Sequence, residues 1–344
     1  MMRDMRFGIF VPQGWRMDLV GIAPEDQWET MLRLARRADD NPDWESIWVF
    51  DHFHTVPQPS EEATHEAWSL MAGFGAATTR VRLGQMCTCM SYRNPAYLAK
   101  VAATIDVISG GRVEMGIGGG WYEHEWRAYG YGFPAARKRL GRLRDGVEIF
   151  RQMWTKGVAT HSGEYFQVDG AIGQPRPLQG TTKPGSAANG IPIWIAGGGE
   201  KVTLRIAAEY ADYTNFDPTP EGFAAKSAVL ERHCKDVGRD FGSIVRSADY
   251  NVVIGETEKD VQDRLAWIED HYRRAGVSEA RLRTQAHTYR TGPAVGTPEQ
   301  IVETLRALER AGMTYAITNF MEGAYDTSGI ELFEKTVIPE LRAS

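Results

Sequence analysis

Apolar positions in this chain follow two rhythms, short continuous runs and a 3.6-residue period, which alternate from end to end. Runs of about four to eight apolar residues between turn formers fit strands buried on both faces, and the longer period fits helices that bury one side. Arg6 to Val11, closed by Pro12, reads as a first strand. A helix with Trp28, Met31, Leu32 and Ala35 on one face follows, then a second strand at Ser46 to Phe50. A helix over Trp68 to Ala77 leads to a third strand, Val81 to Met86. The clearest helical stripe is Leu98, Val101, Ala102, Ile105 and Ile108, with Gly110-Gly111 as a left-handed stop. Val113, Met115 and Ile117 mark a fourth strand, and Leu140, Leu143, Val147, Phe150 and Trp154 a long helix.

Residues 157–190 interrupt the alternation with a hairpin around Ser162-Gly163 and a loop rich in Gly, Pro and Gln. The rhythm then resumes with a fifth strand, Ile193 to Ala196, and a helix over Val202 to Ala208. Asp212 to Phe216 is a sixth strand, and Thr219-Pro220 caps and opens the next helix. Arg246 to Ile254 is a seventh strand, whose helix opens at Thr257. Residues 277–296 read as a second irregular insertion. Thr297-Pro298-Glu299-Gln300 is a capping-box start, and Ile301, Leu305, Leu308 and Ala311 form the buried stripe behind it. Tyr315 to Phe320 is an eighth strand, and residues 328–342 a closing helix. The pattern predicts an α/β fold, a (β/α)8 TIM barrel in a single domain over 1–344, with insertions after strand four and after helix seven. An open doubly wound sheet is the rival architecture.

Composition narrows the function classes. With 42% hydrophobic and 24% charged residues the 344-residue chain is ordinary for a globular protein. Its net charge of −6 gives no general attraction to nucleic acid or an anionic membrane. No stretch has the ~20 apolar residues of a membrane span. Met1 to Val11 lacks the apolar run of a signal peptide, and the cysteines, Cys87, Cys89 and Cys234, are too few and odd in number for a disulfide framework. These features suggest reduced thiols and a cytoplasmic location.

In a (β/α)8 barrel chemistry sits where strands end. After strand two stands Asp51-His52-Phe53-His54, where a histidine can serve as acid or base, or a His–Asp pair can brace the rim. His52 and His54 find no third metal ligand at recognisable spacing, so no metal is expected. After strand three, Met86-Cys87-Thr88-Cys89 has no second cysteine pair and reads as small buried thiols. After strand four, Gly116-Ile117-Gly118-Gly119-Gly120-Trp121 lacks the third glycine of a dinucleotide loop, and indicates a close backbone approach to a ligand or neighbour. After strand five, Gly197-Gly198-Gly199 precedes a helix, which suits a phosphate, with Lys201 adding charge; a tight turn is the alternative. The basic run Arg137-Lys138-Arg139, with Arg142 and Arg144, is either a solvated helix face or a contact for an acidic cofactor tail.

Together these segments resemble the luciferase-like monooxygenase superfamily, and within it the coenzyme F420-dependent oxidoreductases. The likeness rests on Ser46-Ile47-Trp48-Val49-Phe50-Asp51-His52-Phe53, on Tyr92-Arg93-Asn94-Pro95, and on Asp106-Val107-Ile108-Ser109-Gly110-Gly111-Arg112 running into Gly116-Ile117-Gly118. It implies a barrel holding a deazaflavin or FMN in its mouth. By the resemblance, His52 is the catalytic acid or base. Asp51, Met86, Cys87, Thr88, Gly118 and Gly119 contact the cofactor, and Gly197, Gly198 and Gly199 hold its phosphate. Met86-Cys87 falls where relatives carry a non-proline cis peptide. Asp-His-Phe after strand two resembles the deazaflavin branch, whereas the FMN branch tends toward Glu-His-His. Val56 and Trp121 stand where glucose-6-phosphate dehydrogenases of this type have tryptophan and glutamate, so a sugar-phosphate substrate does not carry over.

The reading is therefore an F420-dependent oxidoreductase that moves a hydride to or from a small-molecule substrate, with Phe53 and Trp121 as apolar walls. FMN is the alternative cofactor, in a reduced-FMN monooxygenase; a non-catalytic flavin-binding protein is the alternative from another class. A homodimer is expected from the resemblance, with no nucleic-acid or membrane partner.

Overall fold

The computed structural model describes residues 5–180 and 190–342. Eight strands carry the architecture: β1 (Arg6–Phe10), β2 (Ser46–Val49), β3 (Arg82–Gln85), β4 (Val113–Gly118), β5 (Ile193–Ala196), β6 (Tyr213–Asn215), β7 (Val245–Asn251) and β8 (Tyr315–Asn319). The main helices are α1 (Pro24–Asp40), α2 (Ala67–Ala77), α3 (Pro95–Ile108), α4 (Ala136–Arg151), α5 (Thr203–Tyr210), α6 (Pro220–Val237), α7 (Glu258–Arg274) and α8 (Pro298–Arg310). A closing helical stretch runs from Ser328 to Arg342. This alternation of strand and helix is the (β/α)8 barrel fold.

The described residues fall into two compact units. One comprises those up to His65, Phe216–Ala228 and those from Val245 onward; the other comprises Glu66–Asn215 and Val229–Ile244. In the first unit β1 lies between β2 and β8, with Ile9 opposite Ile47 and Thr318, and β7 continues the parallel set beyond β8. In the second, β4 lies between β3 and β5, and β6 follows β5, again all parallel. All six residues of β4 are buried, as a strand covered on both faces requires.

The helix starts form as their sequences dictate. The Asn94 side chain accepts from the N–H groups of Ala96 and Tyr97 ahead of α3. Thr219 Oγ1 accepts from Gly222 at the start of α6. Thr257 and Asp260 form a reciprocal capping box on α7, and the Gln300 side chain accepts from Thr297 N–H at α8. Gly110 and Gly111, at φ +69° and +85°, end α3 in the left-handed region. Arg112, within one of the segments that carry the family likeness, is structural. Its guanidinium donates to the carbonyls of Val81 (2.6 Å), Thr78 (2.7 Å), Gly75 (2.9 Å) and Ser109 (2.7 Å), tying α2, β3 and α3 together. Asp106 accepts from Gln179 in the same way, at 2.8 Å from its amide nitrogen.

Several segments differ from the sequence reading. Residues 277–296 are not irregular: Glu279–Arg290 is a helix. Leu282 and Tyr289 bury against Met17, Leu265, Ile268 and Tyr272, and two anchors seven residues apart are too sparse a stripe to read from sequence. The seventh strand is split. β7 ends at Asn251, and Val253–Ile254 pairs instead with Val295–Gly296 in a separate two-stranded ribbon. The unbroken apolar run Val252 to Ile254 hides that change of partner. Trp28 is 39% exposed rather than on the buried face of α1. Glu123–Ala128 forms a short helix between β4 and α4 that the sequence reading did not include. The hairpin after α4 is present as Val158–Ser162 against Gln167–Ile172, while residues 181–189 of the loop behind it lie outside the described residues.

Candidate active site

In the first unit the chain leaves β2 through Phe50, Asp51, His52 and Phe53. Gln13, just past the end of β1, fixes that exit. Its side-chain oxygen accepts from Phe50 N–H at 2.7 Å, and its Nε2 donates to the Phe50 carbonyl at 2.7 Å and the His65 carbonyl at 2.6 Å. Gln13 is fully buried, so these bonds are shielded from water. Two residues on, Trp15 lies face to face with His52, ring centroids 4.3 Å apart and planes 3° from parallel. Trp15 also meets Phe50 at 4.2 Å, and Phe50 stacks on Phe10 at 4.2 Å. The Arg16 guanidinium covers the Trp15 and Phe50 rings at 5.0 and 5.1 Å.

The backbone carrying Trp15 is itself pinned. The Asp18 carboxylate accepts from Gly14 N–H at 2.6 Å and Gln13 N–H at 3.4 Å. Burial raises the Asp18 pKa, while these backbone donors and Arg16 pull it back. Val56 N–H donates to the Trp15 carbonyl at 2.8 Å, so the loop beyond His52 closes over the same residue. Asp51 is buried and His52 half-buried, leaving an imidazole of fixed tilt at a strand end. An imidazole held by stacking, with its nitrogens on the ring edge, can hand a proton along one direction.

In the second unit the Met86–Cys87 peptide, directly after β3, is cis. Thr88 Oγ1 donates to Gln85 Oε1 at 2.6 Å. Gln85 Nε2 is buried and has no partner among the described residues. Thr88–Cys89 then pairs with the end of β4, Thr88 opposite Ile117 and Cys89 opposite Gly118. A Cβ at Gly118 would lie 2.7 Å from Cys87 Sγ and 3.5 Å from the Ala196 carbonyl, so only glycine admits this approach. The ends of β3, β4 and β5 therefore meet around Cys87, Gly118 and Ala196. Cys87 is only half-buried, against the sequence reading of buried thiols, whereas Cys89 is buried. A Cβ at Gly119 would touch the Leu140 side chain at 3.0 Å. Trp121 is 60% exposed and stacks on Tyr122 at 5.2 Å.

The glycine loop follows Ala196 at once. Gly197 has φ +110°, and its N–H donates to the Asn215 carbonyl at 2.9 Å, so that N–H is used within the protein. Gly198 and Gly199 remain as donors, whereas Leu204 N–H in the first turn of α5 already donates to the Gly199 carbonyl at 3.0 Å; α5 has no side-chain cap on its N-terminus. Lys201 is exposed beside them. The basic run at the start of α4 is partly committed elsewhere: Arg139 covers the Phe133 ring at 4.2 Å and donates to the Pro134 carbonyl, and Arg144 pairs with Glu209. Among the described residues no group of three His, Cys, Asp or Glu is arranged to hold a metal ion. No helix among them is long and apolar enough to cross a membrane.

Gln13, Trp15 and Gln85 were missing from the sequence reading. The rule that chemistry lies at strand ends points to them as well, since they stand at the ends of β1 and β3. Nothing in local pattern marks Gln13 as a clamp, because its partners lie 37 and 52 residues away.

The sequence and the fold both have counterparts among known proteins. The family model described as luciferase-like monooxygenase matches residues 5–315. An F420-dependent glucose-6-phosphate dehydrogenase from Amycolatopsis mediterranei is 30% identical over 201 residues, 58% of this chain and 54% of that protein. Pyrimidine monooxygenase RutA from Allorhizobium ampelinum is 28% identical over 254 residues, 70% of this chain and 65% of that one. The chain thus spans between about half and two thirds of the length of these curated relatives. Among solved structures, an F420-dependent secondary alcohol dehydrogenase in complex with an F420-acetone adduct superposes with a TM-score of 0.76 at 21% identity, covering 99% of this chain and 100% of that one.

Proposed function

From the premise that the chain belongs to the luciferase-like monooxygenase family, we propose that it is an F420-dependent oxidoreductase acting on a small organic substrate. The observation that carries this reading is the Asp51-His52-Phe53 exit from β2, with His52 stacked on Trp15. The F420-dependent relative and the F420-bound structural neighbour support it.

The strand ends fit a flavin-type group. Gly118 lets Cys87 Sγ pack against the end of β4, and Gln85 Nε2 is a buried donor in want of an acceptor. In the second unit Met86, Cys87, Thr88, Gly118 and Gly119 would back the ring, and Gly198 and Gly199 ahead of α5 would hold the phosphate. When bound, a 5-deazaflavin supplies a carbon that donates or accepts hydride. The protein's own task is to place a substrate carbon and manage one proton. His52 holds or takes that proton at a ring nitrogen, with the Phe53 ring next along the chain. Replacing His52 with Ala is expected to lower turnover by about 10²–10⁴-fold, the usual return of a positioned acid or base, while cofactor affinity stays. Unchanged turnover in that variant rules out the role.

The similarity to pyrimidine monooxygenase RutA favours a second reading, a reduced-FMN monooxygenase on the same strand ends. Oxygen consumption that requires reduced FMN, with no exchange of hydride into F420, selects it.

A further inference from the structure

Arg16 Nε, Tyr289 Oη and Glu322 Oε2, all in the first unit, are closed off from solvent and have no hydrogen-bond partner among the described residues. They gather round one buried cluster. Met17, Tyr272, Tyr289 and Met321 pack together, and Arg16 and Glu322 adjoin Met17 and Met321 in the chain. Unpaired polar groups inside a protein are costly, so a group of them marks a place for something that completes them.

Their chemistry sorts them. The Glu322 carboxylate is already matched, since Arg264 Nη1 donates to its Oε1 at 3.0 Å. The Asp18 carboxylate is spent on the N–H groups of Gly14 and Gln13. Arg16 has no such match and makes no hydrogen bond or ion pair among the described residues. Arg139, Arg151 and Arg246 share a closed-off Nε, but each donates through an Nη, to Pro134, Tyr210 and Ser227 respectively. Tyr289 is free to donate, because the hydroxyl of Tyr272 beside it, 6.3 Å between ring centroids, is turned to Met321 Sδ. Burial raises the Tyr289 pKa and the Arg16 charge opposes that rise, so the guanidinium is near enough to be felt at the hydroxyl. One unmatched cation and one hydroxyl donor suit an acceptor of single negative charge, a carboxylate; a phosphate dianion asks for a second cation.

The backbone beside Arg16 is fixed. Met17, fully buried, has φ +62°, a left-handed conformation that side chains seldom adopt. Its N–H donates to the Gly14 carbonyl at 2.8 Å, and its carbonyl accepts from His271 Nε2 at 2.8 Å. The indole of Trp15 meets both the Arg16 guanidinium, at 5.0 Å, and the His52 imidazole, at 4.3 Å. We propose that Arg16 and Tyr289 bind a carboxylate of the substrate, so that the enzyme acts on a small organic acid whose reacting carbon lies toward His52. The proposal rests on the role of His52 in the reading above and deepens it by naming the substrate class.

Isothermal titration calorimetry of the full-length protein with benzoate and with benzamide, which share size and shape and differ in charge, tests the site. Benzoate should bind roughly tenfold or more tightly than benzamide, the return of charge-assisted hydrogen bonds. Arg16→Lys keeps the charge and loses the planar fork, and Tyr289→Phe loses only the hydroxyl. Each should weaken benzoate about five- to tenfold. Far-UV circular dichroism checks the fold of each variant, and Tyr289→Phe alone decides if Arg16→Lys does not fold. Inorganic phosphate, for which the glycine loop is the expected seat, should bind wild type and Arg16→Lys alike. Equal affinity for benzoate and benzamide, or benzoate affinity unchanged in the folded variants, overturns the site. Phosphate weakened by Arg16→Lys as much as benzoate overturns the choice of a carboxylate. No cofactor is present, so a failure here leaves the F420 reading standing. Unchanged turnover in His52→Ala overturns that reading instead and leaves benzoate binding as it is.

Discussion

The imidazole of His52 lies flat against the indole of Trp15, 4.3 Å between ring centroids and 3° from parallel. The two residues come from different strand ends, β1 and β2, and each is fixed by bonds of its own. Gln13 locks the backbone at Phe50 from one side, and the Asp18 turn and the Val56 N–H lock Trp15 from the other. The stack therefore joins two independently anchored segments, which is what a side chain needs if it is to meet a substrate at one orientation.

Loss of the indole should show in turnover before it shows in cofactor binding. Trp15→Leu removes the stacking surface and is expected to lower kcat by roughly 10- to 100-fold, the scale of an ångström-size misplacement of a catalytic group. Trp15→Phe keeps an aromatic face. It also forfeits no hydrogen bond, because Trp15 Nε1 has no partner among the described residues, so most of the activity should return. Steady-state kinetics of the pair decides the matter; equal activity of the Leu and Phe variants would mean the stack is only packing.

The approach of Cys87 to Gly118 predicts a coupled pair. Gly118→Ala places a methyl group 2.7 Å from Cys87 Sγ and should cost about 1–3 kcal/mol in stability. Cys87→Ala clears the space, so the double variant should recover part of the loss, with a coupling of roughly 0.5–3 kcal/mol by denaturant unfolding. Strict additivity would show that the two groups do not touch in solution.

Much of this architecture was written into local pattern. The apolar runs other than the split seventh, the Thr257 and Thr297 boxes and the Gly110-Gly111 stop depend on neighbours within a turn or two, and the structure has them where the spacing put them. The misses share one cause, contacts distant in sequence. The helix at Glu279–Arg290 is held by Leu282 and Tyr289 against Met17 and α7, and the break at Val252 follows from a new partner at Val295. The site divides the same way. Asp51 and His52 stood out by residue type at a strand end, whereas the Gln13 clamp and the Trp15 stack exist only once β1 and β2 are side by side.

A glycine in the phosphate loop can be tested without disturbing the core. Gly199 is exposed, and a Cβ there would lie 2.7 Å from Thr203 Oγ1 at the first turn of α5. Gly199→Ala should therefore shift the loop and weaken cofactor binding by about tenfold, the worth of one charge-assisted hydrogen bond, with little change in melting temperature. Equilibrium titration of both proteins measures it; unaltered affinity would remove the loop from the phosphate site.

His271 gives the fold a pH dependence of known sign. It is buried, stacks on Trp267 at 4.9 Å, and its Nε2 donates to the Met17 carbonyl at 2.8 Å. Burial lowers its pKa below the ordinary 6.5, so below that pH the unfolded chain binds a proton that the folded one resists. Its contribution is complete above pH 6.5 and is lost as the pH falls through the lowered value. His271→Gln cannot titrate. The urea midpoint of wild type should therefore fall more steeply than that of the variant as the pH drops from 7 to about 5. Parallel midpoints across that range would contradict the assignment.

The most direct test of the whole account is an anaerobic titration of the purified protein with F420 and, separately, with FMN, followed by absorbance. A saturable spectral change with F420 at micromolar protein, and none with FMN, is the predicted result. Saturation by FMN with no response to F420 would contradict it.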